Sequence, residues 1–286
     1  MVAVRHIAVL LGLVTLAPLS SRTRPLSQPT RTGPASLFAQ YASEALERNF
    51  PSPDISYLLL DARSGQVLAS RWDQPDTPIP LGSLAKPFTA LAYGELHDFQ
   101  YPVHTCLGTA TGCWRPGGHG DVDLTSAIAY SCNSYFRFLT ADLRAPDVSE
   151  TATRFGLEVP DRETSGAELA GLGPRWRISP LRMARAYLEL VGQRQHPAVR
   201  QILDGMARSA RHGTAAEVDR AMPPHYALAK TGTAACTHSK RAPGDGFVVA
   251  LAPADDPKLL LMVRVHGVPG SQAAKIAGQM LHRIED

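Results

Sequence analysis

Apolar residues recur along this chain at two periods, and the change from one to the other divides it into regions. Leu37, Phe38, Tyr41, Ala42, Ala45 and Leu46 follow helical spacing, which predicts a helix of about three turns. Residues 55–61 and 66–72 are apolar or β-prone runs around Ala62, Arg63, Ser64 and Gly65, which predicts a hairpin. Residues 247–252 and 259–265 predict a second hairpin around residues 253–257, and Ala273, Ile276, Ala277, Met280, Leu281 and Ile284 form one helical stripe after it. Between the hairpins, from Lys86 to about Ala215, the pattern is mostly helical. There Ser179 reads as a helix N-cap, with Pro180 at the first helical position, where its missing N–H costs nothing. Hairpins at both ends of a helical middle imply an α+β chain: one antiparallel sheet assembled from distant segments and flanked by helices, with an all-helical subdomain (about 87–215) inserted into it.

The first residues follow a different plan. Arg5 and His6 precede an apolar run over residues 7–19 and then Ser20 and Ser21, the order of charge, apolar stretch and small residues in an export signal. Residues 1–21 therefore read as a signal peptide or a short membrane tether, and the rest of the chain as periplasmic or extracytoplasmic. Residues 22–35 read as a flexible spacer, and residues 36–286 as one domain. Of the 286 residues 44% are hydrophobic and 19% charged, enough apolar surface for a core and too little charge for a disordered chain. No run reaches the ~18 apolar residues of a membrane span, which excludes a multipass protein. A net charge of +3 without a basic stripe argues against a nucleic-acid partner.

Lysine is scarce: Lys86, Lys230, Lys240, Lys258 and Lys275 are all the chain holds. Each is a candidate for work arginine cannot do, such as losing a proton. Ser83-Leu84-Ala85-Lys86 places a hydroxyl and an amine three residues apart, on one face if a helix starts there. A serine becomes nucleophilic when a base takes its proton, and a desolvated lysine can be that base. Ser131-Cys132-Asn133 offers a second hydroxyl to relay a proton and an amide to bind a substrate amide. Lys230-Thr231-Gly232-Thr233 follows an apolar run, as on a strand edge. It combines fixed positive charge and two hydroxyls, suited to a carboxylate, with a glycine that lets a ligand approach the backbone.

Together, in this order, the three motifs resemble the penicillin-recognising acyl-serine transferases, meaning penicillin-binding proteins and serine β-lactamases. The likeness extends to residues 60–69, Gly118-His119-Gly120, residues 131–136, 178–184, 212–215 and 247–258, and is strongest to the elongation-type class B penicillin-binding proteins. It implies a β-lactamase/transpeptidase-like fold and a D,D-transpeptidase or D,D-carboxypeptidase acting on D-Ala-D-Ala stems of peptidoglycan, with β-lactams as inhibitors and a membrane glycan polymerase as a partner to be tested. Ser83 would be the nucleophile, with its own N–H and that of Thr233 as the oxyanion hole. Lys86 and Ser131 would move protons, Asn133 would hold the substrate amide, and Lys230 and Thr231 the carboxylate. The chemistry requires no cofactor.

Class B proteins carry a large non-catalytic module before this domain, whereas only a short stretch precedes it here. Two rivals therefore stay open. A β-lactamase or β-lactam sensor of the same fold would need deacylating groups, for which Glu163 and Glu168 lack the surrounding pattern. A non-enzymatic, zinc-braced cell-wall-binding relative would not be acylated at all.

The cysteines pose a separate question. Cys106, Cys113, His119 and Cys132 follow C-x6-C-x5-H-x12-C, a three-cysteine, one-histidine set that suits structural zinc. In an exported protein a Cys106–Cys113 disulfide is the alternative. Some elongation-type class B proteins resemble the zinc reading, with a metal beside the second motif. Cys132 would then point away from the cleft while Ser131 and Asn133 face it. Cys236 is expected to be a small buried residue. The remaining histidines, His266 among them, read as surface or loop residues.

Overall fold

A computed structural model describes residues 34–237 and 243–285. The signal or tether and nearly all of the expected spacer lie outside the described residues. Helix α1 (Pro34–Asn49) begins within the last residues assigned to that spacer and leads into strands β1 (Ile55–Asp61), β2 (Val67–Arg71) and the short β3 (Ile79–Pro80). A 3-10 turn over Gly82–Ala85 runs directly into α2 (Lys86–Leu96), followed by β4 (His104–Cys106), β5 (Gly120–Val122), α3 (Leu124–Ala129) and α4 (Asn133–Leu139). Then come α5 (Ala145–Arg154), α6 (Gly166–Leu169), β6 (Arg177–Ile178), α7 (Pro180–Gly192), α8 (Pro197–His212) and α9 (Ala216–Arg220). The chain ends with β7 (Leu228–Ala234), β8 (Asp245–Ala252), β9 (Leu259–His266) and α10 (Gly270–Glu285).

Five strands form one antiparallel sheet in the order β2-β1-β9-β8-β7, so the two expected hairpins meet through β1 and β9. The sheet is covered on both faces, which is why its central strands read as unbroken apolar runs. Alternate residues serve opposite cores, as the two-residue period of a strand requires. Leu58, Leu60, Phe247, Val249, Leu251, Leu260 and Met262 pack toward the helical middle. Tyr57, Leu59, Val248, Ala250, Leu261 and Val263 pack against α1 and α10.

Helix α2 is the pillar of the helical part. Its residues from Lys86 to Ala92 are buried on every side, as a helix enclosed by others must be. Phe88 meets Phe155 and Tyr187 edge-on at centroid distances of 5.2 and 5.4 Å. Ser179 caps α7 by accepting from the Arg182 N–H, with Pro180 in the first turn, as the sequence predicts.

The turn before α2 presses against β7. Gly82 has φ +60, and a Cβ there would lie 2.3 Å from the Thr233 carbonyl oxygen; a Cβ on Gly232 would lie 2.5 Å from the Leu81 oxygen. Backbones this close exclude side chains on both partners. Gly82→Ala is expected to lower the unfolding free energy by about 2–4 kcal/mol, combining a left-handed backbone penalty with overpacking. Denaturant titration measures this, and a change below about 0.5 kcal/mol would contradict the close apposition.

Candidate active site

A cleft of 740 Å³ opens between β7, the turn before α2 and the loop joining α3 to α4. Ser83, Ser131, Asn133, Thr231, Gly232 and Thr233 all line it, so three motifs far apart in sequence share one wall. Ser83 lies in the 3-10 turn and Lys86 opens α2, one turn on. Residues three apart eclipse in a 3-10 turn, so both project to the same side.

Lys86 and Lys230 are both 0% exposed. Lys86 Nζ donates to the Ser131 carbonyl oxygen at 2.8 Å, to Asn133 Oδ1 at 2.7 Å and to Ser131 Oγ at 3.4 Å. Lys230 Nζ donates to Ser131 Oγ at 2.9 Å and to the Thr231 carbonyl oxygen at 2.8 Å. Two amines thus converge on one hydroxyl. Burial pushes Lys86 down to about 7; Cys132 and Cys113 oppose this in part, and Arg137 adds to it. Burial, and then the charge of Lys86, hold Lys230 well below the ordinary lysine range. An ammonium at Lys86 would fill all three of its contacts. A neutral amine keeps two N–H groups for the short ones and has a lone pair to accept a proton.

No hydrogen bond joins the Ser83 hydroxyl to the Lys86 amine, the pair that the sequence places on one face. Among the described residues the Ser83 hydroxyl makes no hydrogen bond, and the Lys86 amine is turned to the second motif instead. The physical reason is the depth of the amine, since the Ser131 carbonyl and the Asn133 amide offer it short, buried acceptors.

Ser131 is held by an unusual backbone, with φ +49. A left-handed conformation costs a non-glycine residue about 1–2 kcal/mol. The segment is fixed by bonds from the Ser131 N–H to Ile128 O (3.2 Å) and from the Cys132 N–H to Ala127 O (2.9 Å). This turn sends Ser131 and Asn133 into the cleft and Cys132, 0% exposed, into the protein.

The third motif is braced by residues the motifs themselves do not contain. Thr231 Oγ1 donates to Thr214 Oγ1 at 2.6 Å, and the Thr214 N–H bonds Ala129 O at 3.1 Å. The Gly270 N–H donates to Thr233 Oγ1 at 3.0 Å. Trp114, Leu172 and the Glu217–Arg220 ion pair also line the cleft. Of these only Thr214 lies in a stretch, residues 212–215, that the sequence singles out; no pattern marks the approach of the others. Glu163 and Glu168 do not line the cleft; Glu163 bonds Arg175, and Glu168 closes the capping box of α6.

Behind the Ser131 turn, one ligand atom each from Cys106, Cys113, His119 and Cys132 lies within 4.8 Å of all the others. His119 Nδ1 is 3.5 Å from Cys106 Sγ and 3.6 Å from Cys113 Sγ, and the Cys113 and Cys132 sulfurs are 3.9 Å apart. Tetrahedral zinc with ordinary Zn–S and Zn–N lengths has S···N edges of about 3.6 Å and S···S edges of about 3.8 Å, so the four residues fit that ion. Burial raises the Cys106 thiol, but the Gly108 and His119 N–H groups and the neighbouring thiols bring it below its usual value. None of the four cysteines forms a disulfide, Cys106 and Cys113 included. Cys236 is half-buried rather than buried, because it lies beyond the end of β7, where the sheet no longer covers it.

A model of the family described as penicillin binding protein transpeptidase domain matches residues 55–285. Among solved structures the chain is similar to Pseudomonas aeruginosa PBP2, at TM-score 0.70 and 19% identity, covering 86% of this chain and 73% of that one. It is similar to the transpeptidase domain of a Legionella pneumophila D,D-transpeptidase, at TM-score 0.63 and 15% identity, covering 91% and 99%. Helicobacter pylori PBP2, solved as a complex with MreC, gives TM-score 0.69 and 18% identity over 87% and 62%. Among curated protein sequences none matches the chain. The antiparallel sheet with its inserted helices is the fold these structures share, and the matched family spans both hairpins and everything between: the chain belongs to the penicillin-binding protein transpeptidase domain family.

Proposed function

We propose that the protein is an exported acyl-serine enzyme that acts on D-Ala-D-Ala peptidoglycan stems, as a D,D-transpeptidase or D,D-carboxypeptidase, and that β-lactams acylate it. The observation that carries this reading is the convergence of two fully buried lysines on Ser131 beside Ser83 in the cleft.

In this mechanism Ser83 Oγ attacks the carbonyl of the penultimate D-alanine, and its proton passes to neutral Lys86. The N–H groups of Ser83 and Thr233 would stabilise the oxyanion. Its collapse breaks the C–N bond, and the departing D-alanine amine receives a proton from Lys86 through Ser131. Lys230 and Thr231 would hold the substrate's terminal carboxylate, and Asn133 its amide. An amine of a second stem, or water, then attacks the ester and returns the proton to Ser83. Glu163 and Glu168, the carboxylates considered for deacylation, are engaged elsewhere, which favours a penicillin-binding protein over a β-lactamase. A neighbouring fold described in a peptidoglycan synthase complex that coordinates polymerisation with crosslinking, and the MreC complex, support a membrane-associated partner here as well.

Cys106, Cys113, His119 and Cys132 would hold a structural zinc ion, which supplies rigidity and no chemistry. Cys132 adjoins Ser131, so bracing one positions the other.

Incubating the full-length protein with a pentapeptide muropeptide is expected to release D-alanine, with a cross-linked dimer if a stem amine is the acceptor. Chromatography with mass detection reads both, and no released D-alanine from folded protein contradicts the proposal. Because Lys86 must be neutral to accept the Ser83 proton, second-order acylation by a penicillin should rise about tenfold per pH unit below about 7 and level off above it. Stopped-flow measurement across pH 5–9 tests this, and a flat profile below 7 contradicts it. Cys132→Ser should hold one zinc fewer than wild type and melt at least about 5 °C lower; calorimetry with metal analysis decides, and unchanged zinc content rules out the metal reading.

A further inference from the structure

Among the described residues, a second group of metal-type side chains converges outside the cleft. Cys236 follows the end of β7, Asp245 opens β8 and His266 closes β9. Asp245 and His266 are cross-strand partners, and Asp245 also faces Ala234 of β7. Their ligand atoms all lie within 4.8 Å of one another. Asp245 Oδ1 and His266 Nδ1 are 2.8 Å apart, with side chains only 3% and 9% exposed, so His266 is not the surface residue the sequence suggests. A carboxylate held this deep fixes the orientation of the imidazole ring.

The donor set is a thiol, an imidazole and a carboxylate. Zinc-class divalent ions take that combination, whereas magnesium and calcium take oxygen alone. A zinc tetrahedron has edges of about 3.3–3.8 Å, so the 2.8 Å contact between Asp245 and His266 would open slightly on binding, with half-buried Cys236 adjusting to the ion. A cavity of 720 Å³, lined in part by Trp72, Asp73, Thr237, Arg264 and His266, supplies an entry path. Arg264 stacks over Trp72 at 4.8 Å, close enough to Asp245 and Cys236 that both favour its charge against the effect of burial.

We propose that Cys236, Asp245 and His266 form a second divalent-metal site, suited to zinc-class ions, with its fourth position open to this cavity. Binding displaces the Cys236 thiol proton to solvent, and thiolate and carboxylate together neutralise the dication. The ion ties the ends of three strands together. One of them is β7, which carries Lys230, Thr231 and Thr233, so the site clamps the strand that walls the cleft.

After equilibrium dialysis of the full-length protein against micromolar zinc, Cys236→Ser should hold one ion fewer than wild type. That difference is expected whether or not the cluster beside Ser131 is filled, and a Cys132→Ser background should preserve it. In wild type, zinc should slow alkylation of Cys236 by iodoacetamide more than about tenfold, read by peptide mass spectrometry without any variant having to fold. Equal zinc content with and without the Cys236 thiol, or alkylation indifferent to zinc, overturns the proposal.

Discussion

The site depends on removing two amines from water and giving them one hydroxyl to share. An isolated buried ammonium is costly, and a protein relieves the cost by pairing the charge or by releasing the proton. Lys86 and Lys230 lie beside each other with Ser131 between them, so the charge of Lys86 disfavours charge on Lys230. Burial brings Lys86 to about 7, where a lysine can both take and return a proton. Water in the same place would solvate Lys86 and return it to an ordinary lysine, protonated at neutral pH and unable to act as base.

Sheet and helical middle each contribute one half of this arrangement. β7 sits at the sheet edge and delivers Lys230, while α2, buried on all sides, delivers Lys86. Glycines at 82 and 232 let the two backbones touch. The Ser131 turn closes the space between them at the expense of a left-handed serine. Behind it the cysteine–histidine cluster reaches the cleft by a second route. Trp114 packs edge-on to His119, which stacks on Tyr130, and Trp114 Nε1 donates to the Tyr130 carbonyl. Whatever fixes His119 therefore also fixes Trp114 in the cleft wall.

Much of this was legible in the sequence because the chemistry permits few residue types. Ser83, Lys86, Ser131, Asn133 and Lys230–Thr233 stand out by identity and order, and the strands by apolar runs facing two cores. What was not legible depends on approach in space. Gly270 binds the third motif through a single hydrogen bond, and nothing in its own neighbourhood marks it; Thr214 lies in the stretch 212–215 that shares the family likeness, but its bond to Thr231 depends on approach in space. The preference of Lys86 for Asn133 and Ser131 over Ser83 is set by depth, which one-dimensional spacing does not encode. The second hairpin extends outward to Asp245 and His266, polar residues that an apolar pattern discards, although strand register makes them partners.

The central claim is that a Lys86 able to lose its proton makes the Ser83 hydroxyl reactive. Intact-mass analysis of the folded protein with benzylpenicillin, followed by peptide mapping, tests it most directly. The account predicts a single long-lived acyl group on Ser83 in wild type and a rate at least about 10²-fold slower in Lys86→Arg, whose guanidinium keeps its charge and cannot act as base. An adduct on another residue, or equal acylation of the arginine variant, would contradict it.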